Sequence, residues 1–325
     1  MGTLFGTDGI RGKANHYPIT CEVAMRTGQA VGLMVQEQGY TDVIIGKDTR
    51  ISGGMLESAV AAGVASSGAN AVLAGTLPTP GIAFLCADLP SAGAGIVLSA
   101  SHNPYEDNGI KIFRHGGIKL TDSQESQIED YILKNKDSMS QAVGRVICLE
   151  DSLERYAGFL HDQCPLPPSG DKLHVVVDCS NGAASQISRK VFLQDRFEVH
   201  FMYNQPDGMN INDNCGSQHT EGLSQQVKHR KADIGLAFDG DADRLIAVDE
   251  TGRQVTGDTI IAICAKHALS KGTLENQTVV STIMSNVGLT QCLDKLGITH
   301  IKADVGDRRV LEKMSGARKR ITIDL

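Results

Sequence analysis

The sequence has few aromatic residues and no long hydrophobic run. Aromatic residues make up 4% of the 325 residues, whereas glycine occurs 35 times. This balance favours an α/β protein with many tight turns over an aromatic-rich β-sandwich. No apolar stretch reaches the roughly 18 residues that a membrane-spanning helix needs, so no membrane segment is expected. The net charge of −7 and the lack of a basic patch argue against nucleic-acid binding, and we interpret the basic residues 318–320 as a solvated segment.

The eight cysteines lack the spacing of a disulfide or zinc framework. They are scattered along the chain and form no C-x-x-C pair. A disulfide-rich domain would be shorter and denser in cysteine, and a zinc site would show paired spacing. The first five residues also lack the basic and apolar regions of a secretory signal peptide. The sequence therefore predicts reduced thiols and a cytoplasmic location.

A pattern of strand, polar loop, helix and strand occurs three times. In the first copy, Leu56, Val60 and Val64 form an apolar stripe with helical spacing between two apolar runs. The runs that open and close the three copies are 43–45 and 71–73, 175–177 and Val199, and 279–280 and 300–301. Repeated βαβ units of this kind predict parallel strands flanked by helices.

Three units indicate an α/β protein with three related domains, whose mixed or parallel sheets are flanked by helices. The predicted domains are 1–150, 151–255 and 256–325. A single large doubly wound sheet is the alternative. The polar stretches 135–144 and 165–170 are candidate linkers, and the second contains three prolines, which do not fit inside a helix or a central strand.

One candidate for chemistry is Ser101, in the segment S-A-S-H-N-P at 99–104. The apolar run 95–98 precedes it and predicts a buried strand, so Ser101 lies at a strand end, where open α/β sheets bind ligands. The segment is not a G-x-S-x-G elbow, which argues against a hydrolase. Serine, asparagine and proline also form ordinary turns, so a plain turn remains the local alternative.

A second candidate is the segment D-G-D-A-D-R, which places Asp239, Asp241 and Asp243 at alternate positions. Three such carboxylates repel one another unless a cation compensates, and hard oxygen ligands suit magnesium or calcium. An EF-hand is rejected because Arg244 stands where its loop needs glycine, and because the short apolar flanks predict strands instead of helices. A metal-free acidic loop remains the alternative.

Several loop cations could offset this negative charge. Arg11 lies in F-G-T-D-G-I-R-G at 5–12, Lys47 and Arg50 follow the first strand, and Lys111 ends N-G-I-K at 108–111. Each signal is weak by itself, because loop cations are usually only solvated.

The serine and aspartate segments, in this order and at this separation, resemble the motifs of the α-D-phosphohexomutase superfamily. The resemblance runs from the first residues to about Met314. Several details resemble the phosphoglucosamine mutase branch, namely F-G-T-D-G-I-R-G at 5–12, G-M-N-I-N at 208–212 with C-G-S at 215–217, and G-D-R at 306–308 with V-L-E-K-M at 310–314.

The resemblance implies that Ser101 carries a phosphoryl group and that Asp239, Asp241 and Asp243 hold Mg²⁺, which also takes a phosphate oxygen from the serine. It implies transfer to a sugar monophosphate through a hexose bisphosphate, interconverting glucosamine 6-phosphate and glucosamine 1-phosphate. Lys111 is implied as the base that accepts the sugar hydroxyl proton. His102 is a second candidate for this role, with a structural hydrogen-bonding role as the alternative.

The charges of this implied site need further cations. Phosphoserine carries about −2, so with three aspartates and Mg²⁺ the site remains at about −3 before a dianionic substrate arrives. Arg11, Lys111 and Arg244 are the natural candidates to offset this charge, and Lys47 and Arg50 are expected to contribute to phosphate binding.

Two loops of the superfamily find no match here. These are the sugar-reading E-x-S-G-H loop of the third domain and the R-x-S-G-T-E-P phosphate loop of the fourth. We therefore expect an incomplete third domain, in which 321–323 could still form a strand, no fourth domain, and slow turnover.

The expected ligand is a small sugar phosphate, with no nucleic-acid or membrane partner, and the sequence leaves the oligomeric state open. A phosphomannomutase or phosphoglucomutase is the alternative enzyme, and an inactive remnant that binds phosphosugar is the alternative of another class.

Overall fold

A computed structural model describes residues 4–6, 9–134, 142–163, 171–192 and 196–316. The chain divides into two compact units, Met1–Arg253 and Gln254–Leu325. Among the residues that the structure describes, no helix is both long enough and apolar enough to cross a bilayer. The described residues do not include 7–8, most of the candidate linkers, or the segments 318–320 and 321–323.

The first unit begins with a seven-stranded mixed sheet. Its strands are β1 (Ile10–Lys13), β2 (Asp42–Lys47), β3 (Asn70–Thr76), β4 (Ala92–Leu98), β5 (Asp107–Arg114), β6 (Ile118–Lys119) and β7 (Val146–Cys148). Its helices are α1 (Cys21–Glu37), α2 (Gly53–Ser66), α3 (Thr79–Asp88), α4 (Asp122–Leu133) and α5 (Ser152–Gln163). The strand order is β1-β5-β4-β2-β3-β7, with β6 beside β5. Strand β2 runs parallel to β3 and β4, whereas β5 is antiparallel to β1 and β4.

Helices cover both faces of this sheet, which explains the unbroken apolar run in β2. Val43 and Ile45 belong to the core formed with α1 and α2. Ile44, between them, belongs to the opposite core, together with Leu85 of α3 and Tyr156 of α5. All three β2 side chains are fully buried, as expected of a central strand with helices on both sides.

A second sheet completes the first unit. Its strands here are β8 (Leu173–Asp178), β9 (Phe197–Met202), β10 (Ile234–Phe238) and β11 (Leu245–Asp249), and its helices are α6 (Ala184–Phe192) and α7 (Glu221–Arg230). Strand β8 runs parallel to β9 and β10, and β10 pairs with β11 as an antiparallel hairpin. The predicted strands on either side of 239–244 are therefore present, and the three aspartates lie in the hairpin turn.

The second unit has its own small core. Its elements are β12 (Gln254–Val255), α8 (Gly257–Lys271), β13 (Thr278–Thr282), α9 (Val287–Lys295), β14 (Thr299–Ala303) and α10 (Asp307–Gly316). Strands β13 and β14 are parallel. Ala265 of α8 and Leu289 and Leu293 of α9 pack with Val279 of β13.

The predicted α/β fold is confirmed. Each predicted unit is present with parallel strands, as β2-α2-β3, β8-α6-β9 and β13-α9-β14. The alternative of one large doubly wound sheet is wrong, because the described strands form separate sheets. The domain boundaries near 150 and 255 stay predictions.

Candidate active site

Ser101 lies in the loop 99–104, here called the serine loop, which follows β4. Its side chain is fully buried and its backbone is left-handed, with φ of +54°. The Ser101 backbone N–H donates to Ser99 Oγ at 2.9 Å, and Ser99 Oγ donates to Asp48 Oδ2 at 2.6 Å. Ser101 Oγ donates to Asp239 Oδ2 at 2.5 Å. The serine hydroxyl thus points directly at the first of the three aspartates.

The three aspartates come together in the loop 239–244, here called the aspartate loop. One oxygen from each of Asp239, Asp241 and Asp243 lies within 4.8 Å of the others. Asp239 and Asp241 are buried, and Asp243 keeps 31% of its side chain exposed. Three carboxylate oxygens that converge in this way form the hard donor set that Mg²⁺ prefers. The residues therefore fit a divalent cation.

The electrostatics of Asp239 support the same conclusion. Burial raises the pKa of Asp239 to about 7, and the neighbouring Asp241 and Asp243 carboxylates add to the rise. Hydrogen bonds from Ser101 and from the Arg244 backbone act in the opposite direction. A cation among these oxygens would relieve both the burial penalty and the repulsion.

Lys111 reaches the aspartate loop from the first sheet. It lies on β5 with 3% of its side chain exposed. Its Nζ donates to Asp241 Oδ2 at 2.7 Å and to Asp243 Oδ2 at 3.2 Å. The structure thus brings the predicted lysine into the aspartate cluster, where its charge offsets two of the carboxylates.

His102 and Arg244 meet beside the serine hydroxyl. Arg244 Nη1 lies 3.1 Å from His102 Nδ1, which is 3.4 Å from Ser101 Oγ. Because a guanidinium can only donate, this contact requires an unprotonated Nδ1. Burial lowers the pKa of His102, and the charges of Arg244 and Arg11 lower it further. We therefore expect a neutral imidazole at neutral pH.

Arg11 contacts the serine loop from β1. It pairs with Gly109 across the β1–β5 ladder, and its Nη1 donates to the Ala100 carbonyl at 3.5 Å. This places the guanidinium against the residue that precedes Ser101.

Arg50 differs from its predicted role as a phosphate ligand. Its Nε donates to Asp48 Oδ2 at 2.9 Å. The other four N–H groups donate to backbone carbonyls of the serine loop and the residues after it: Ser101, Asn103, Pro104 and Asp107. All five donors are thereby used and the side chain is fully buried. The phosphate-binding prediction does not fit this geometry, and Arg50 instead supports the serine loop.

Lys47 pairs with a carboxylate on the helix that follows its strand. Its Nζ contacts the carboxylate of Glu57 on α2, and both side chains are largely buried. Glu57 therefore already offsets the charge of Lys47, and phosphate binding by Lys47 stays a prediction.

Three family models match the chain: phosphoglucomutase/phosphomannomutase α/β/α domain I at 2–139, domain II at 155–252 and domain III at 256–321. A phosphoglucosamine mutase of Desulforapulum autotrophicum is 53% identical over 97% of this chain and 72% of its own length. Its counterpart in Syntrophus aciditrophicus is 50% identical over 97% and 71%.

The chain belongs to the phosphoglucosamine mutase family. Among solved structures, a phosphoglucomutase/phosphomannomutase family protein from Burkholderia thailandensis has a TM-score of 0.84 at 25% identity, and the match covers 96% of this chain and 68% of that one. An N-acetylphosphoglucosamine mutase from Aspergillus fumigatus, solved with GlcNAc-6P and magnesium, has a TM-score of 0.55 at 16% identity, with 96% and 64% covered. The second match shows the shared fold alone.

Two residues of this phosphoglucosamine mutase family member were missed by the sequence analysis. Thr79, the first residue of α3, donates its hydroxyl to Asp241 Oδ2 at 2.5 Å and its backbone N–H to the Asp241 carbonyl at 2.9 Å. Asn212 donates to carbonyls of the serine loop. Asn212 lies in the G-M-N-I-N segment that marked the branch, which was the available signal. Thr79 had none, because its partner is 162 residues away in the sequence.

Proposed function

We propose that this chain interconverts glucosamine 6-phosphate and glucosamine 1-phosphate by carrying a phosphoryl group on Ser101. The main support is the 2.5 Å contact between Ser101 Oγ and Asp239 inside a cluster of three carboxylates. A serine hydroxyl next to such a cluster suits phosphoryl transfer, which depends on positioning and charge compensation. The choice of glucosamine as the sugar rests on the names of relatives at 50–53% identity.

We propose Mg²⁺ as the cation of the aspartate loop. Asp239, Asp241 and Asp243 would hold it, together with a phosphate oxygen on Ser101. When bound, Mg²⁺ would offset negative charge on the transferred group. The converging oxygens and the raised pKa of Asp239 support this assignment.

The chain's own residues would prepare Ser101 for transfer. The left-handed backbone and the contact with Asp239 orient the hydroxyl, and burial of the serine restricts water. Excluding water strengthens every electrostatic contact in the site and protects the phosphoryl group from hydrolysis. The serine loop thus acts mainly by orientation.

Two groups are candidates to accept the proton of the attacking sugar hydroxyl. Lys111 is favoured by family resemblance, although its Nζ donates here to Asp241 and Asp243. His102 lies close to Ser101 Oγ, but its Nδ1 faces the Arg244 guanidinium, which would have to move before Nδ1 could accept the sugar proton. General-base catalysis needs an unprotonated acceptor within hydrogen-bond reach, so Lys111 would first have to give up a proton, for which the Asp241 and Asp243 carboxylates are the adjacent acceptors.

Arg244 and Arg11 are the proposed contacts for substrate phosphate. Arg244 keeps 51% of its side chain exposed and lies beside Asp243 and His102. An exposed guanidinium next to the reacting serine can offer two parallel donors to a phosphate. Arg11 contacts the carbonyl of Ala100, the residue before Ser101.

The experiment is phosphate uptake from glucosamine 1,6-bisphosphate in the presence of Mg²⁺, followed by intact mass. We expect the wild-type chain to gain one phosphate and Ser101→Ala to gain none. Ser58→Ala is the matched control, because Ser58 is an exposed serine on α2 that bonds only the carbonyl of Gly54 in the described contacts, and it should behave as wild type. A wild-type chain that gains no phosphate, or a Ser101→Ala chain that does, would refute the proposal.

A phosphomannomutase or phosphoglucomutase is the second candidate, favoured by the description of the family models. Parallel turnover assays with glucosamine, glucose and mannose 6-phosphates separate the candidates. A chain that binds these sugar phosphates but converts none of them would support the remnant that binds only. The cytoplasmic location stays a prediction.

A further inference from the structure

We propose that Asn212 is a positioning residue that, together with Arg50, holds the serine loop in the conformation that directs Ser101 toward Asp239. This inference rests on the proposed role of Ser101 as the phosphoryl carrier. It gives a role to the G-M-N-I-N segment at 208–212, which the site described above does not otherwise use.

The two side chains bind the same pair of carbonyl groups. Asn212 Nδ2 donates to the Ser101 carbonyl at 2.9 Å and to the Asn103 carbonyl at 2.9 Å. Arg50 Nη2 donates to the same carbonyls at 2.9 and 2.8 Å. Both hydrogens of the Asn212 amide are used, so only one orientation of that amide fits. These four bonds fix the peptide planes that join Ser101 to His102 and Asn103 to Pro104.

The fixed planes matter because the Ser101 backbone is strained. Its φ of +54° lies in the left-handed region, which costs a side-chain-bearing residue about 1–2 kcal/mol. Such a conformation persists only when surrounding contacts over-determine it. The contact of Ser101 Oγ with Asp239 depends on this backbone, since rotation about φ would swing the side chain away.

Asn212 joins the serine loop to the second sheet. Its backbone N–H donates to the carbonyl of Ser180, in the loop after β8, at 2.9 Å. At Gly240 of the aspartate loop, an added Cβ would lie 2.5 Å from the Ser101 carbonyl oxygen and 2.8 Å from Asn212 Nδ2. The serine loop, the aspartate loop and Asn212 therefore meet at one glycine, and the position of Asn212 is fixed by elements outside the serine loop.

Loss of the Asn212 donors should therefore relax the serine loop while leaving the substrate contacts in place. Arg50 would still bind both carbonyls, so the fold should survive. The expected effect falls on the rate of the phosphoryl step and not on the half-saturating ligand concentration. A misplacement of about 1 Å can cost about 100-fold in rate.

Two variants and one matched control test this. Asn212→Asp keeps the shape and removes both donors, and Asn212→Gly removes them without adding charge, at a backbone φ of +59° that glycine adopts without strain. Asn210→Asp is the control, because Asn210 lies in the same loop and its Nδ2 donates to the Gln205 carbonyl instead. Two measurements are made on each full chain: amide hydrogen exchange in the peptide covering 99–104, and the rate of phosphate gain on Ser101 from glucosamine 1,6-bisphosphate.

Both Asn212 variants should exchange faster at 99–104 than the wild type, and their rate constants should fall by about 100-fold with a nearly unchanged half-saturating concentration. Asn210→Asp should match the wild type in both measurements. Unchanged exchange in both Asn212 variants, or a rate equal to that of Asn210→Asp, would overturn the positioning role. A wild-type chain that never gains phosphate would instead refute the proposed function. The exchange data would still test whether Asn212 holds the serine loop.

Discussion

The affinity of the aspartate loop for Mg²⁺ should depend on pH because of Asp239. Burial and the two neighbouring carboxylates raise the pKa of Asp239 to about 7 in the metal-free chain. A cation binds the ionised carboxylate, so it must displace the proton wherever Asp239 is protonated. We therefore expect tighter binding as the pH rises from 6 to 8, and proton release when the metal binds at the lower pH.

The size of the effect follows from the position of this pKa. With a pKa of about 7, roughly one-eleventh of Asp239 is ionised at pH 6 and roughly ten-elevenths at pH 8. The dissociation constant for Mg²⁺ should therefore fall about tenfold over this range and change little above it. Binding should release close to one proton at pH 6 and about a tenth of a proton at pH 8.

The same shift sets the sign of the stability effect. The folded-state pKa of Asp239 lies above its ordinary value of 3.8, so this carboxyl favours the metal-free fold at low pH. That contribution is lost as the pH rises through about 7, when the buried group must ionise. Mg²⁺ should accordingly raise the melting temperature more at pH 8 than at pH 6.

Isothermal titration calorimetry in buffers of different ionisation enthalpy measures both the affinity and the protons released. Asp239→Asn is the control variant, because it cannot titrate and should bind Mg²⁺ weakly with no pH dependence between 6 and 8. An affinity for Mg²⁺ that is the same at pH 6 and pH 8 in the wild type would refute the reasoning. A pH dependence of Mg²⁺ affinity that persists in Asp239→Asn would also refute it.

Two further predictions concern buried groups around the site. Burial raises the pKa of Asp178 to about 6 despite hydrogen bonds from Ser180 and Gly216, so ionising it should cost about 2.5 kcal/mol of stability between pH 4 and pH 8. Denaturant unfolding of Asp178→Asn should show a flatter pH dependence of stability than wild type, and an equal pH dependence would contradict this. Thr79→Val removes the hydroxyl that donates to Asp241 and should weaken Mg²⁺ binding about 10–100-fold, whereas Thr79→Ser should restore it. Equal Mg²⁺ affinities of wild type and Thr79→Val in calorimetry would contradict the role of Thr79 in orienting Asp241.

Much of the fold could be predicted because the central strands are buried on both faces. Runs such as 43–45 and 175–177 are continuous and apolar, which is the pattern of parallel strands between layers of helices. The hairpin around 239–244 was predictable because apolar runs flank a polar turn. Each of these features depends on local patterning, which a sequence displays directly.

The roles of individual cations could not be predicted in this way. Arg50 and Lys111 both follow or lie in strands near the site, yet one supports backbone carbonyls and the other contacts carboxylates. A sequence gives the position of a cation along a strand, but not the partner that its long side chain reaches. The role of Asn212 was hidden for the same reason, because its partners are more than 100 residues away.

The left-handed backbone at Ser101 also bears on which hydroxyl amino acid can occupy that position. Threonine offers the same oxygen nucleophile, but its branched Cβ is strongly disfavoured at a φ of +54°. The backbone at this position would therefore disfavour threonine for steric reasons, although serine and threonine both carry a hydroxyl group. A serine-to-threonine exchange, which is conservative on most protein surfaces, would here displace the hydroxyl that is to carry the phosphoryl group.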